Sequence, residues 1–354
     1  MKKIFCYLIT VFCALNGFSQ FSLPTKAEAA DCMNRILLVE LKTEDPKHIA
    51  KLSKKGNQKE IAEYKNFIKE YNSRVKLYVP KYWTLNKSIL FKTAAEITTL
   101  IEAGKDKYVV LSSAWREEAR PDMNAIYLYS CYTVSLYKSE DAGKRDNEKI
   151  DKYNKGQAQV RRGDFLFKVS LRYDDLNEAD YRMILNEFNH HIQYASKNGP
   201  ESSFMGTLHF PEISTSSFEQ AQKATLIIPK ELLADGLTPE MIKEAYTFPF
   251  KICSLQAIDS MILNGEKNVL YFQRVFSEVY RYLTYAIIND ETGECLAEVS
   301  GESGQITLVT GPAQFARKWN NSGEIGSAHL KAINKFLQNK IKPKPGVMGL
   351  LQSL

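Results

Sequence analysis

Ile89–Leu111, ILFKTAAEITTLIEAGKDKYVVL, is the stretch whose reading decides the fold. Its pattern predicts a strand, a short helix closed by Gly104 and a second, wholly apolar strand. A second stretch, Phe250–Phe272 (FKICSLQAIDSMILNGEKNVLYF), lies on it without a gap. Only Ile97/Ile258, Ile101/Ile262 and Gly104/Gly265 are identical, but the apolar positions coincide along the whole length. Each glycine falls where a helix C′ residue in the left-handed region is expected. The pair predicts an internal duplication.

The flanking elements repeat in the same order. Arg35–Leu41 (RILLVEL) reads as a strand, answered by Ala224–Ile228. Asp45-Pro46 and Thr238-Pro239 each supply an N-cap followed by proline at the first helical position. Ala125–Tyr137 alternates and is aromatic, as is Tyr280–Asn289, and Asp164–Tyr173 and Glu294–Val299 read as their hairpin partners. The first half is longer between helix start and glycine, with Gly56 dividing its helix and Val75–Leu85 as an aromatic insertion around Pro80. The expected fold class is α/β (α+β): two similar small lobes, each a mixed β-sheet flanked by helices. The expected boundaries are 34–173 for the first lobe, 174–222 for a long helix and connector, 223–310 for the second lobe, 311–342 for terminal helices and 343–354 for a tail.

This element order, β-α-β-α-β followed by a hairpin, is similar to that of small α/β modules of bacterial envelope accessory proteins, such as the N-terminal domain of TolB-like proteins. The likeness is one of order and carries no motif, so no residue role comes with it.

The N-terminus sets the expected address. Met1-Lys2-Lys3, the apolar run Ile4–Leu15 and the polar exit Gly17–Gln20 read as a secretory signal peptide over 1–20. Ala27-Glu28-Ala29 offers an alternative cleavage pattern, extending removal to about residue 29. Removing 1–20 takes Lys2 and Lys3 and no acid, lowering the net charge from +6 to +4. That charge is spread along the chain, so it argues only weakly for a nucleic-acid or anionic-surface partner. No later run is long enough for a transmembrane helix. Export makes Cys32, Cys131, Cys253 and Cys295 candidates for disulfides, with Cys253–Cys295 the pair nearest in sequence.

Residue patterns that carry chemistry are few in this chain. The chain has five histidines, and Glu187, His190 and His191 on the helix expected over Asp175–Lys197 are the least poor catalytic or metal-binding candidates. A Glu-x-x-His pair suits a di-metal site only when a second copy faces it, and none is present. A solvated or capping pair near the helix end is the competing reading. His209 is expected in a loop, and His48 and His329 on the surface. No G-x-S-x-G, P-loop, G-x-G-x-x-G, H-E-x-x-H or C-x-x-C occurs, so no cofactor or metal is expected.

What remains is recognition. Tyr82, Trp83, Trp115, Tyr127 and Tyr129 are candidate ligand or partner contacts, with packing against the sheets as the alternative. The expectation is a periplasmic or secreted bacterial envelope protein of non-catalytic, binding or scaffolding type. It would recognise a protein or other envelope component through an inter-lobe groove or an aromatic sheet edge. A hydrolase built around Glu187, His190 and His191, or a small-molecule carrier using the inter-lobe cleft, are the alternatives.

Overall fold

The structure, a computed structural model, describes residues 24–104, 106–121, 126–141, 165–171, 175–199, 215–277, 282–300, 306–307 and 324–338. Within these, the side chains of 116–131, 165, 215–217, 274–284, 298, 300 and 306–307 fall outside the description. The expected signal peptide, the segment 142–164, His209, residues 311–323 of the terminal-helix region and the terminal tail lie outside the described residues.

The first lobe begins with helix α1 (Lys26–Asn34) and strand β1 (Ile36–Leu41), followed by α2 (Pro46–Lys54) and α3 (Gln58–Tyr82). Strand β2 (Ile89–Thr93), α4 (Ala94–Ala103), β3 (Tyr108–Pro121), β4 (Ile126–Lys138), β5 (Phe165–Leu171) and the long helix α5 (Glu178–Asn198) complete it. The second lobe runs α6 (Thr215–Lys223), β6 (Thr225–Pro229), α7 (Pro239–Ala245), β7 (Phe250–Cys253), α8 (Leu255–Asn264), β8 (Val269–Ser277), β9 (Tyr282–Asn289), β10 (Cys295–Ser300), β11 (Ile306–Thr307) and α9 (Ser327–Leu337).

The two sheets share one topology. Their orders are β2-β1-β3-β4-β5 and β7-β6-β8-β9-β10, the second extended by β11. The first three strands of each are parallel, and the rest add antiparallel. Register agrees as well as order. Leu37 pairs with Ile89 and Val109, and Leu226 pairs with Phe250 and Leu270. The same number of residues separates Ile89 from Val109 as separates Phe250 from Leu270.

Burial follows from that arrangement. The central parallel strands are covered on both faces, so Leu37, Leu38 and Val39 are all buried. Removing each from water contributes roughly 1.5–3 kcal/mol. On one face of the first sheet, α3 and α5 pack over Val39, Val109, Leu111 and Val134. On the other, Ile97 and Ile101 of α4 meet Leu38, Val110 and Tyr137. In the second lobe Ile242 of α7 and Ile333 of α9 cover Leu226 and Leu270, and Ile258 and Ile262 of α8 cover Ile227 and Tyr271.

Helix α5 belongs to both lobes. Asn177 caps it, with Asp180 completing a capping box. One face contributes Tyr181, Ile184, Leu185, Phe188 and Ile192 to the first core. The opposite face places Ala179 and Met183 against Ile258 and Ile262 of the second. Arg182 pairs with the buried Asp290 at 3.4 Å, and Asn177 Nδ2 donates to Asp259 Oδ2 at 2.8 Å. Ala286 and Ile288 of β9 join the first core from the other side. The described residues of the two lobes thus meet in a packed contact along α5 and β9.

Several local expectations are corrected. Gly104 has φ −171°, an extended conformation open to any residue, and only Gly265 is left-handed at φ 65°. Val75–Leu85 is not a separate insertion: through Tyr82 it continues α3, whose buried stripe Ile61, Ile68, Tyr71, Val75 and Val79 overrides Pro80 near the C-terminal end. The connector contains α6, whose position before β6 matches that of α1 before β1. Helix α1 itself was not foreseen, because Ala27-Glu28-Ala29 reads as a cleavage pattern. Thr25 and Glu28 form its capping box, and Ala29 and Cys32 are fully buried.

The Cys253–Cys295 disulfide does not form: both are free thiols. Cys253 ends β7 and Cys295 begins β10, four strand positions apart in one sheet. At about 4.8 Å per strand they are separated by about 19 Å, far beyond the ~7 Å Cα limit for a disulfide.

Candidate functional site

In open sheets with parallel strands, ligands favour the carboxyl end of the strands at the point where strand order reverses. In the first lobe that point lies between β1 and β3, because β1 is followed by β2 on one side and β3 on the other. A polar cluster occupies it. Ser113 Oγ donates to Tyr71 OH at 2.8 Å and shares a hydrogen bond with Tyr132 OH at 2.7 Å. Tyr71 OH donates to the Glu40 carbonyl at 3.3 Å. Lys42 Nζ donates to the Ser113 carbonyl at 3.1 Å and lies 4.6 Å from the Tyr71 ring centroid, a cation–π distance.

Behind the hydroxyls lies a small cavity lined chiefly by Val39, Val75, Leu111, Val134, Ile184 and Leu185. Its space for water-sized molecules is about 20 Å³, room for one or two waters. Burial raises the Tyr71 phenol above its usual range, so it stays protonated. The arrangement can hold a small polar group; the apolar walls exclude anything larger.

Glu40, beside this cluster, is a buried carboxyl at odds with its surroundings. It is 4% exposed in the middle of the sheet, and Oε2 has no hydrogen-bond partner. Burial pushes its carboxyl up to about 7, with Lys42 pulling the other way. The signal was available in RILLVEL, where one acid interrupts an apolar run. Tyr71, Ser113 and Lys42 carried no local signal, because three separate elements bring them together.

The sequence-derived candidates are placed elsewhere. His191 is buried and stacks on Phe167 with ring centroids 4.0 Å apart. Desolvation, then the neighbouring His190, drives its pKa down to about 3, so it is neutral. His190 is half-buried and stacks on Tyr194 at 6.3 Å, its pKa also lowered by desolvation. His191 is thus packed away from solvent while His190 keeps part of its surface exposed, and Glu187 is half-buried on the same helix. Among the described residues no group of three or more His, Cys, Asp or Glu could hold a metal ion. His329, expected on the surface, is buried, and its Nδ1 accepts from the Gly326 N–H at 2.9 Å.

Trp83 is buried against Phe188 and donates to Asn86, which in turn donates to the carbonyls of Cys32 and Arg35. Tyr82 is half-buried, its hydroxyl donating to Glu178 at 2.9 Å. Trp115 is half-buried against the Tyr132 ring. Tyr127 and Tyr129 lie on β4 with side chains outside the described residues.

Strands β2 and β7 are terminal, and each pairs on one side only among the described strands. Leu90 pairs with Leu38, and Lys251 pairs with Ile227, so the two occupy the same place in their lobes. Leu90 is 40% exposed, and Lys251 is exposed. A lysine on an edge strand discourages pairing with another chain, and an exposed leucine does not. Lys92, also on β2, is drawn to Glu96 at 3.0 Å.

Comparison of the chain with protein-family models, with curated proteins and with solved structures finds no match in any of the three. The class is what the fold defines: a mixed α/β protein of two similar lobes. No helix among the described residues is long and apolar enough to cross a membrane.

Proposed function

We propose that this is an exported bacterial envelope protein of binding or scaffolding type, engaging another envelope component through the β2 edge of its first lobe. The observation that carries this reading is the contrast between Leu90 and Lys251 at equivalent edge positions. At that position the second lobe carries a charge and the first an apolar side chain, while the lysine of β2, Lys92, is turned to Glu96. An extended partner segment could add a strand beside β2, with backbone hydrogen bonds supplying affinity and an apolar residue over Leu90 supplying specificity. The signal-like N-terminus supports the envelope address.

The test is capture from an envelope extract by the purified chain, run beside Leu90→Lys, which gives the first lobe the second lobe's residue, and Lys251→Leu. A specific partner retained by wild type and by Lys251→Leu, and lost by a folded Leu90→Lys, is the expected result. Equal capture by Leu90→Lys overturns the edge assignment, and no specific capture by wild type overturns the binding reading.

A further inference from the structure

Helix α2 stands outside the sheet layers, docked on α3 through Leu52, which is buried, and His48, whose ring lies 4.8 Å from that of Tyr64. A neighbouring face, about a quarter turn round the helix, carries Lys47, Lys51 and Lys54, with Lys55 at the C-cap, all exposed. The spacing i, i+4, i+7, i+8 places them in one stripe, about 12 Å long at 1.5 Å per residue. Among the described residues none has an acidic partner within ion-pair distance. The acids nearby are all engaged: Asp45 caps α2, Glu44 holds Lys65 at 3.2 Å, Glu63 holds Lys59 at 3.7 Å, and Glu60 accepts from Asn57. Gly56, in the left-handed region at φ 72°, turns the chain away directly after Lys55, leaving the stripe open.

We propose that the α2 lysine stripe is a docking surface for anionic lipid headgroups. Four uncompensated ammonium groups on a convex face suit a planar array of charges better than one caged anion, which would need converging donors. Lysine attracts an anionic surface as a point charge, without the bidentate geometry that arginine brings to discrete phosphates. Choosing a lipid surface over nucleic acid rests on the envelope reading above; the stripe itself does not. Each lysine near such a surface is worth about fivefold in binding, falling off as salt shortens the Debye length.

The test is co-sedimentation of the purified chain with phosphatidylglycerol vesicles at low and at physiological salt, with phosphatidylcholine vesicles as the neutral arm. Binding confined to the anionic vesicles is expected, weakened by salt and by roughly 25-fold in Lys51→Gln/Lys54→Gln. A control with the same charge change on the second lobe, Lys230→Gln/Lys243→Gln, should bind as wild type does. No binding to anionic vesicles at low salt overturns the proposal, as does binding that the α2 variant retains or the control loses. Duplex DNA displacing the vesicles through the same lysines overturns the lipid assignment. Leu90→Lys leaves vesicle binding unchanged, so failure here and failure of the edge-strand reading are separable.

Discussion

Gly293, in the turn between β9 and β10, lies directly against the backbone of Asn186 in the middle of α5. It has φ 71°, and a Cβ built on it would fall 2.8 Å from the Asn186 carbonyl carbon. The turn of one lobe thus touches the helix of the other at a distance that no side chain permits. A glycine series checks this. Gly293→Ala should cost about 2–4 kcal/mol, combining left-handed strain with a clash against backbone. Gly236→Ala, left-handed at φ 76° with open space around it, should cost only about 1 kcal/mol. Gly104→Ala, extended and facing the flexible Lys107 side chain, should stay within about 0.5 kcal/mol of wild type. Denaturant unfolding of the three variants ranks them.

Glu40 makes stability depend on pH in an unusual sense. Its folded pKa is raised to about 7 from 4.5, so the folded state holds the proton more tightly than the unfolded chain does. The stabilisation is fully present below pH 4.5 and is lost as pH rises through 7, in total about 3 kcal/mol. Glu40→Gln should therefore remove that decline and unfold at higher denaturant than wild type at pH 8. A wild-type curve no steeper than the variant's between pH 4.5 and 7.5 would count against the buried carboxyl.

His191 works in the opposite direction. Its folded pKa lies near 3 against 6.5 in the free side chain, because burial and then His190 disfavour the cation. The unfolded chain binds the proton more tightly, so stability falls as pH drops from 6.5 towards 3. His191→Phe should raise stability at pH 4 relative to pH 7, as followed by thermal unfolding at the two values. It should also keep the stacking on Phe167. The two groups offset one another between pH 4.5 and 6.5.

The position of α1 bears on processing. Cleavage after Ala29 would cut through a helix whose Ala29 and Cys32 are fully buried against the first core. It would also remove Glu28, which pairs with Lys138 at 3.0 Å. If the N-terminus is cleaved as a signal peptide, the mature chain is therefore expected to begin at or before Thr25. Intact mass of the chain recovered from the envelope fraction decides between this and a start at Ala30.

Thiol chemistry should follow burial. Burial raises the Cys32 thiol to about 12, and Cys253 is enclosed beside α8. Neither should react with an alkylating reagent until the chain unfolds, whereas Cys295, half-buried, should react first of the three. Peptide mass spectrometry after timed alkylation reads the order.

Much of the architecture was legible because it is local. Thr93 before α4 and Ser254 before α8 cap the helices that the apolar pattern announced, and the three-strand cores follow from unbroken apolar runs. The site was less legible. Glu40 could be picked out as an acid in an apolar run, but its carbonyl meets Tyr71 from a residue 31 positions away, and Tyr71 meets Ser113 from 42. Such contacts depend on how α3 settles on the sheet, which no local pattern encodes. His191 and His329 misled for the same reason: an imidazole reads as polar in sequence, and only packing shows that Phe167 and Tyr285 enclose it.

Ile89–Leu111 and its counterpart Phe250–Phe272 determined by themselves that the chain builds strand-helix-strand units twice, since periodicity and caps act over a few residues. Tertiary structure alone decided that both units share one register, that Gly265 is left-handed and Gly104 is not, and that α5 fills the space between the lobes. It also decided that Leu90 and Lys251 stand at equivalent edges. These depend on which surfaces meet, and burial and close approach are properties of pairs of distant segments, not of either segment alone.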